Sequence, residues 1–188
     1  MMIFLFLAPY GAFAALMLVG PAALSLLLAG AICLAVIVYD AWRGGSTKML
    51  GAGSLIVFTA LGGYIALIDS SLSTSAVKLV IDGSMLAIAL VSLAIRQPFT
   101  LQYAREMVDA ETAQLPGFLT ANYVITWAWS VAFLLMLTAN LAMIYIPGLP
   151  LWAGIAIAFG ARNSALYFTR WYPRYRQAKF TAPPATAG

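Results

Sequence analysis

Two ionisable residues, Asp82 and Arg162, lie within stretches of the chain that are otherwise almost wholly apolar. A charge inside hydrocarbon is costly, so such residues are candidates for function unless they reach a partner or water. Arg162 lies eight residues before Arg170, about 12 Å from the nearer membrane interface at 1.5 Å per residue. Two interpretations stay open for Arg162 and its neighbour Asn163. The guanidinium snorkels to the interface, or it lines a polar cavity and binds an anionic group.

Asp82 is expected about 6 Å deep from the opposite interface. Lys78 lies one helical turn away, and an Asp82–Lys78 pair is the simplest interpretation. A direct pair with Arg162 is disfavoured, because the two Cα atoms differ in depth by about 12 Å within a core of about 30 Å.

A polar stripe runs along the fifth apolar stretch, where Asn122, Thr126 and Asn140 fall on one helical face. The same face carries Trp129, Ser130 and Phe133. Unsatisfied polar groups are costly in hydrocarbon, so we predict that the stripe faces other helices. It is either the packing face of a bundle or the lining of a solute path. Asn140 matches Asp82 in depth, and Asn122 lies within reach of a snorkelling Arg162.

The usual catalytic and metal-binding residues are scarce. The chain has no histidine and a single cysteine, Cys33, which removes the commonest general base and metal ligand. No phosphate-binding glycine loop or nucleophile elbow occurs. We therefore predict a chain that is not an enzyme, uses no cofactor or metal, and does not bind nucleic acid.

The elements that carry these residues are membrane spans. The chain is 63% hydrophobic and 9% charged, against about 25% charged residues in soluble domains. A spanning helix needs about 20 apolar residues. Six stretches qualify: Met2–Val19, Pro21–Tyr39, Met49–Ile68, Val77–Ile95, Phe118–Ile146 and Leu151–Thr169.

Positive charges predict the orientation. Eight basic residues fall on one side of the six stretches, and only Lys78 falls on the other. The eight are Arg43, Lys48, Arg96, Arg105, Arg170, Arg174, Arg176 and Lys179. The positive-inside rule then places both termini in the cytoplasm. A cleaved signal ending near Ala14 is disfavoured, because no basic residue precedes its apolar run.

The loop from Arg96 to Gly117 predicts a short amphipathic helix at the cytoplasmic interface, bracketed by Pro98 and Pro116. Arg105 and Asp109 are spaced for a pair within that helix. The prediction is thus an all-α, polytopic transmembrane bundle with six spanning helices and one short interfacial helix. A single domain covers residues 1–180, and residues 181–188 form a disordered tail.

A family resemblance appears around this loop. The run from Arg96 to Glu106 precedes Pro116 and Phe118, then Asn122 and Thr126-Trp127-Ala128 before Phe133. This pattern resembles uncharacterised bacterial six-span integral membrane proteins and, more distantly, the intracellular septation protein A family of inner-membrane proteins. The resemblance implies association with the cell envelope or cell division. The Gly44-Gly45 loop and the Arg162-Asn163 pair differ from that family.

Two functions follow as expectations. The first is a non-enzymatic inner-membrane protein that acts through helix packing with membrane-protein partners or with further copies of itself. The second is a small-solute or ion transporter with a polar path near Arg162. A cavity that reaches Arg162 would favour transport, and a tightly packed interior would favour the first function.

Overall fold

The computed structural model describes residues 2–146 and 148–181, with side chains at 8–146, 148–150 and 152–179. All regular structure in these residues is α-helical. The helices are α1 (Met2–Leu16), α2 (Ala22–Trp42), α3 (Met49–Leu67), α4 (Thr74–Ala94), α5 (Phe99–Arg105), α6 (Ala110–Gln114), α7 (Pro116–Tyr145) and α8 (Leu151–Thr181). The all-α prediction is confirmed. Residues 182–188, most of the predicted tail, lie outside the described residues.

Four of the six predicted spans, α2, α3, α4 and α7, are long and apolar enough to cross a bilayer. The first stretch forms α1 over 15 residues, or about 22 Å, which is less than a hydrocarbon core of about 30 Å. The sixth stretch forms the first part of α8, a helix of 31 residues that continues beyond the apolar stretch. Arg162 and Asn163 make that apolar half more polar than the four spans.

The long helices pack mainly on their neighbours in the chain. α1 packs on α2, α2 on α3, α3 on α4, α4 on α7 and α7 on α8. One apolar cluster, around Phe58, holds α1, α2 and α3 with the start of α4. A second, around Trp129, holds α4, α5, α7 and α8. Tyr10 packs against both clusters, so the two halves share one interior.

The segment between α4 and α7 differs from the prediction. It forms two short helices, because Asp109 accepts the Thr112 N–H at 2.7 Å and caps α6 instead of continuing α5. Arg105 ends α5, so the predicted Arg105–Asp109 pair within one helix is wrong. The start of α5 is also not a surface feature: Phe99, Thr100 and Leu101 are buried against α7.

The outward faces of the four candidate spans are apolar. Large exposed side chains include Val38 on α2, Ile56 on α3, Val91 on α4, and Val131 and Leu134 on α7. A water-soluble protein would carry polar groups on such faces, whereas hydrocarbon solvates these side chains well. The exterior therefore agrees with four membrane-crossing helices.

Candidate functional site at the Lys48 end of the bundle

A cluster of three charged residues centres on Lys48, which is only 5% exposed. Its Nζ lies 2.6 Å from Oδ2 of Asp40 and 3.1 Å from Oε2 of Glu106. The carboxylates are mostly shielded, at 16% and 21% exposure. We call these three residues the Lys48 triad. It joins the end of α2 and the start of α3, which are neighbours in the chain, to the end of α5, which is distant from both.

Two adjacent glycines let these elements meet. Gly44 adopts φ +74°, a left-handed conformation that glycine reaches without a steric penalty. A Cβ on Gly45 would lie 3.0 Å from the Asp40 carbonyl oxygen and 3.4 Å from Oε1 of Glu106. A side chain at Gly45 would therefore crowd the approach of Glu106 to the α2–α3 loop.

The start of α3 and the loop before it take hydrogen-bond acceptors from α5 and its end. Lys48 precedes α3 and has no side-chain acceptor, so it cannot cap the free N–H groups there. Oε1 of Gln102 accepts the Met49 N–H at 2.6 Å, and Oε1 of Glu106 accepts the Ser46 N–H at 3.3 Å. The negative charge of Glu106 also suits the positive end of the α3 dipole.

The triad keeps Lys48 charged. Burial alone would lower the pKa of Lys48, but hydrogen bonds and charge from Asp40 and Glu106 outweigh burial and raise the pKa above its ordinary value. The ammonium also lies 5.4 Å from the centre of the Tyr103 ring, within cation–π range. Burial raises the pKa of the Tyr103 phenol, so this ring stays neutral.

A small cavity of about 40 Å³ adjoins the triad. Its lining comes from α1, α2, the α2–α3 loop, α3 and α5. The lining residues are Pro9, Tyr10, Cys33, Val36, Ile37, Asp40, Ser46, Thr47, Lys48, Gly51, Ser54 and Tyr103. A cavity needs roughly 10–15 Å³ for one water molecule, so this one has room for a few waters or a very small solute.

The polar side chains of this site bond to one another and to the backbone. Lys48 already contacts two carboxylates, and the Tyr10 and Ser54 hydroxyls bond to each other. The Ser54 hydroxyl also bonds to the Leu50 carbonyl at 2.6 Å. Within the described residues, no group of three or more His, Cys, Asp and Glu side chains could hold a metal ion.

The predicted residue Asp82 finds a partner on another helix. Asp82 is 8% exposed, and its Oδ2 accepts a hydrogen bond from Nδ2 of Asn140 on α7. The two residues were expected at equal depth. Lys78 is exposed and forms no ion pair among the described residues. The hydrogen bond of Asp82 therefore joins α4 to α7 and does not run along α4.

Asn122 and Thr126 lie where α5 docks on α7. Thr126 is fully buried, and its hydroxyl lies 2.7 Å from that of Thr100. The Thr100 hydroxyl also lies 3.0 Å from the Asn122 carbonyl oxygen. The Asn122 side chain donates to the Phe118 carbonyl at 2.9 Å. These groups hold helices together, and no residue that lines the Lys48 cavity belongs to them.

Arg162 and Asn163 are separate from both clusters. Arg162 is half-buried and forms no hydrogen bond or ion pair within the part of the chain that the structure describes. Asn163 is exposed and donates to the Phe159 carbonyl of its own helix at 2.7 Å. The structure thus joins Asp82 to Asn140 and Asn122 to Thr126 through Thr100, but it does not bring Arg162 to either.

Sequence reasoning missed the Lys48 triad. No role was predicted for Asp40 or Glu106, and Lys48 entered only the count of basic residues that predicts the orientation. One signal was available, since Asp40 and Lys48 flank the Gly44-Gly45 turn and could face each other across it. Glu106 lies 58 residues beyond Lys48 in the chain, so its contribution depends on how α5 docks.

Comparisons with known proteins identify no relative of this chain. The chain matches no family model, no curated protein and no solved structure.

Proposed function

We propose that this chain is a six-span protein of the bacterial inner membrane, with both termini in the cytoplasm. α2, α3, α4 and α7 supply four spans, and α1 and α8 supply the first and the last. The eight-to-one distribution of basic residues supports the orientation. In this topology the Lys48 triad faces the cytoplasm, and the loop between α3 and α4 faces the periplasm.

Reporter fusions test this topology. A cytoplasmic reporter at Gly188 should be active, and a periplasmic reporter in the loop at Ser71 should be active. A periplasmic signal at Gly188 would contradict the topology, and a cytoplasmic signal at both sites would show an even number of crossings between them instead of the three proposed.

We propose further that the protein is not an enzyme and acts in the cell envelope through helix packing with membrane partners or other copies of itself. One observation carries this proposal. The polar residues inside the bundle bond to one another, as in Asp82–Asn140 and Thr100–Thr126, while the outer helix faces are apolar. The surface left for contacts with other membrane proteins is therefore the apolar outer face of the helices. The resemblance to septation proteins suggests a role near the division site.

Photo-crosslinking in living cells tests the outward surface. A photoreactive phenylalanine analogue at Leu134, which is 48% exposed on α7, should crosslink to another membrane protein or a second copy. The matched control is Phe133, the adjacent residue, which is 2% exposed. Crosslinks to lipid alone at Leu134 would argue against a protein partner. Unchanged cell length in a deletion strain would argue against the division role.

A small-solute path is the second candidate, and the cavity beside Lys48 favours it. Cys33, the only cysteine in the sequence, lines that cavity and serves as a reporter. A small, membrane-impermeant thiol reagent should modify Cys33 from the cytoplasmic side if the cavity opens to water. Failure to modify Cys33 from either side of membrane vesicles would leave the packing function as the better account.

A further inference from the structure

The final third of α8 carries a face on which cations and aromatic rings alternate. Its members are Arg170, Trp171, Arg174, Tyr175 and Lys179, and all five are exposed. At 3.6 residues per turn these five positions cover about half the circumference of the helix. The Trp171 and Tyr175 rings stack with centroids 5.0 Å apart. We call this set the basic–aromatic face.

The opposite side of the same segment packs inward. Tyr172 packs against the apolar cluster around Trp129 and stacks on Phe168 at 5.0 Å. Arg176 is half-buried, and its guanidinium lies near Gly117 at the start of α7. The cations of the C-terminal segment therefore differ, with Arg176 turned toward the bundle and Arg174 turned away from it. Lys179 follows Tyr172 by two turns and lies on the same side of the helix, but it is exposed.

Arg174 and Lys179 have no acidic partner among the described residues. α8 contains no Asp or Glu. Among the described residues, neither Arg174 nor Lys179 forms an ion pair with another side chain. In the segment between α4 and α7, Glu106 belongs to the Lys48 triad and Asp109 caps α6, while Glu111 is exposed and forms no ion pair among the described residues. The face thus presents positive charge that an external anion can neutralise.

The length of α8 sets the depth of this face. The helix has 31 residues, about 46 Å at 1.5 Å per residue, whereas the hydrocarbon core is about 30 Å thick. With Leu151 at one boundary, Trp171 lies at the other, and Arg174 lies about 4 Å beyond it, in the headgroup layer. Lys179 lies about 12 Å beyond the boundary, from where its long side chain can reach back toward the phosphates. Tryptophan and tyrosine favour that boundary, and arginine favours phosphate oxygens.

We propose that the basic–aromatic face of α8 binds the headgroup phosphates of anionic phospholipids in the cytoplasmic leaflet. The proposal rests on α8 being the last span in the proposed topology. Trp171 and Tyr175 insert at the boundary of the acyl chains, while Arg174 and Lys179 contact the phosphates. Preference for anionic over zwitterionic lipid follows from the absence of a carboxylate on α8, because the excess positive charge is then neutralised only by lipids with net negative charge.

Fluorescence quenching by brominated lipids in reconstituted vesicles tests the proposal. The vesicles contain phosphatidylcholine with a minority of phosphatidylglycerol, and the bromine is placed on one lipid or the other. The part of the quenching that Trp171→Phe abolishes reports on lipids at this face. We expect the Trp171-dependent quenching to be stronger with brominated phosphatidylglycerol than with brominated phosphatidylcholine. Arg174→Gln should reduce this preference about fivefold.

The matched control is Arg176→Gln, which removes the same charge from the same turn but on the inward side. It should leave the lipid preference of Trp171 unchanged, provided that circular dichroism shows equal helix content in both variants. An equal loss in both variants would overturn the proposal and indicate a net-charge effect. Equal quenching by the two lipids would also overturn it while leaving the topology intact. Quenching by neither lipid would overturn the lipid face and the placement of α8 as a span.

Discussion

The Lys48 triad and the Asp82–Asn140 pair both shield carboxylates from water, but they use different partners. At the end of the bundle, Asp40 and Glu106 share one ammonium that is 5% exposed. Inside α4 and α7, Asp82 receives a hydrogen bond from a neutral amide, and Lys78 stays outside at the surface. The first arrangement is ionic and joins three chain segments, whereas the second is a single contact between two helices.

The difference follows from depth. Close to the membrane surface, charged groups reach water at small cost, so an ionic cluster can form and link a loop to a docked helix. Deeper in the bundle the cost of burying charge rises, and an amide satisfies a carboxyl group without adding a second ion. We therefore expect the triad to contribute more to stability than the pair.

Removal of Lys48 should have the largest effect. Lys48→Met leaves Asp40 and Glu106 close together without a cation. We expect a loss of about 2–3 kcal/mol in the free energy of unfolding, which is less than for a fully buried ion pair because both carboxylates keep some water contact. The measurement is thermal or denaturant unfolding of the purified protein in detergent. Lys78→Met is the control, since Lys78 is exposed and should be neutral. Equal stability of the two variants would show that the triad contributes no more than a surface charge.

The pH dependence of unfolding sharpens the same comparison. The folded state holds the Lys48 proton more tightly than the unfolded chain, because the pKa of Lys48 is raised above 10.5. The contribution of the triad is therefore complete below pH 10.5 and declines as the pH rises through the higher pKa of the folded state. Wild type should lose stability in this alkaline range, and Lys48→Met should lose less. Parallel curves for the two proteins would contradict this account.

The Asp82–Asn140 pair should show a smaller effect. Asn140→Leu leaves the Asp82 carboxyl without its partner, and we expect a loss of about 1–2 kcal/mol in the free energy of unfolding. Asp82→Asn is the matched change, because a side-chain amide of the same size can still accept from Asn140. It should cost less than half as much. A larger loss for Asp82→Asn than for Asn140→Leu would mean that the negative charge of Asp82 has a partner other than Asn140.

Arg162 should show the smallest effect, because it belongs to neither arrangement. Arg162→Leu removes a half-buried cation that bonds to no described residue, so the free energy of unfolding should change by less than about 0.5 kcal/mol. Arg162→Glu serves as the contrast, since a carboxylate cannot snorkel as far as an arginine. If Arg162→Leu also leaves growth and any solute uptake unchanged, Arg162 is only a snorkelling residue. A strong loss of solute uptake in a normally folded variant would instead support the hypothesis of a polar path near Arg162.

Sequence by itself determined the helical class, the positions of the long helices and the unequal distribution of charge. These properties depend on local composition: about 20 apolar residues in a row leave the backbone no alternative to a helix in hydrocarbon. The equal depth of Asp82 and Asn140 was also readable, because helical rise converts residue number into depth. Helical periodicity likewise predicted that Asn122 and Thr126 share one face of their helix.

Tertiary structure decided the rest, because it depends on contacts between residues far apart in the chain. Spacing alone favoured Lys78 as the partner of Asp82, but the packing of α4 on α7 brings Asn140 to it. Glu106 joins Lys48 only because α5 docks on α7 through Thr100 and thereby carries Glu106 to the start of α3. On α8, the same docking and packing turn Arg176 toward the bundle and leave Arg174 facing out. The positions of charged residues in the sequence do not determine these contacts, since each contact depends on which helix packs against the residue.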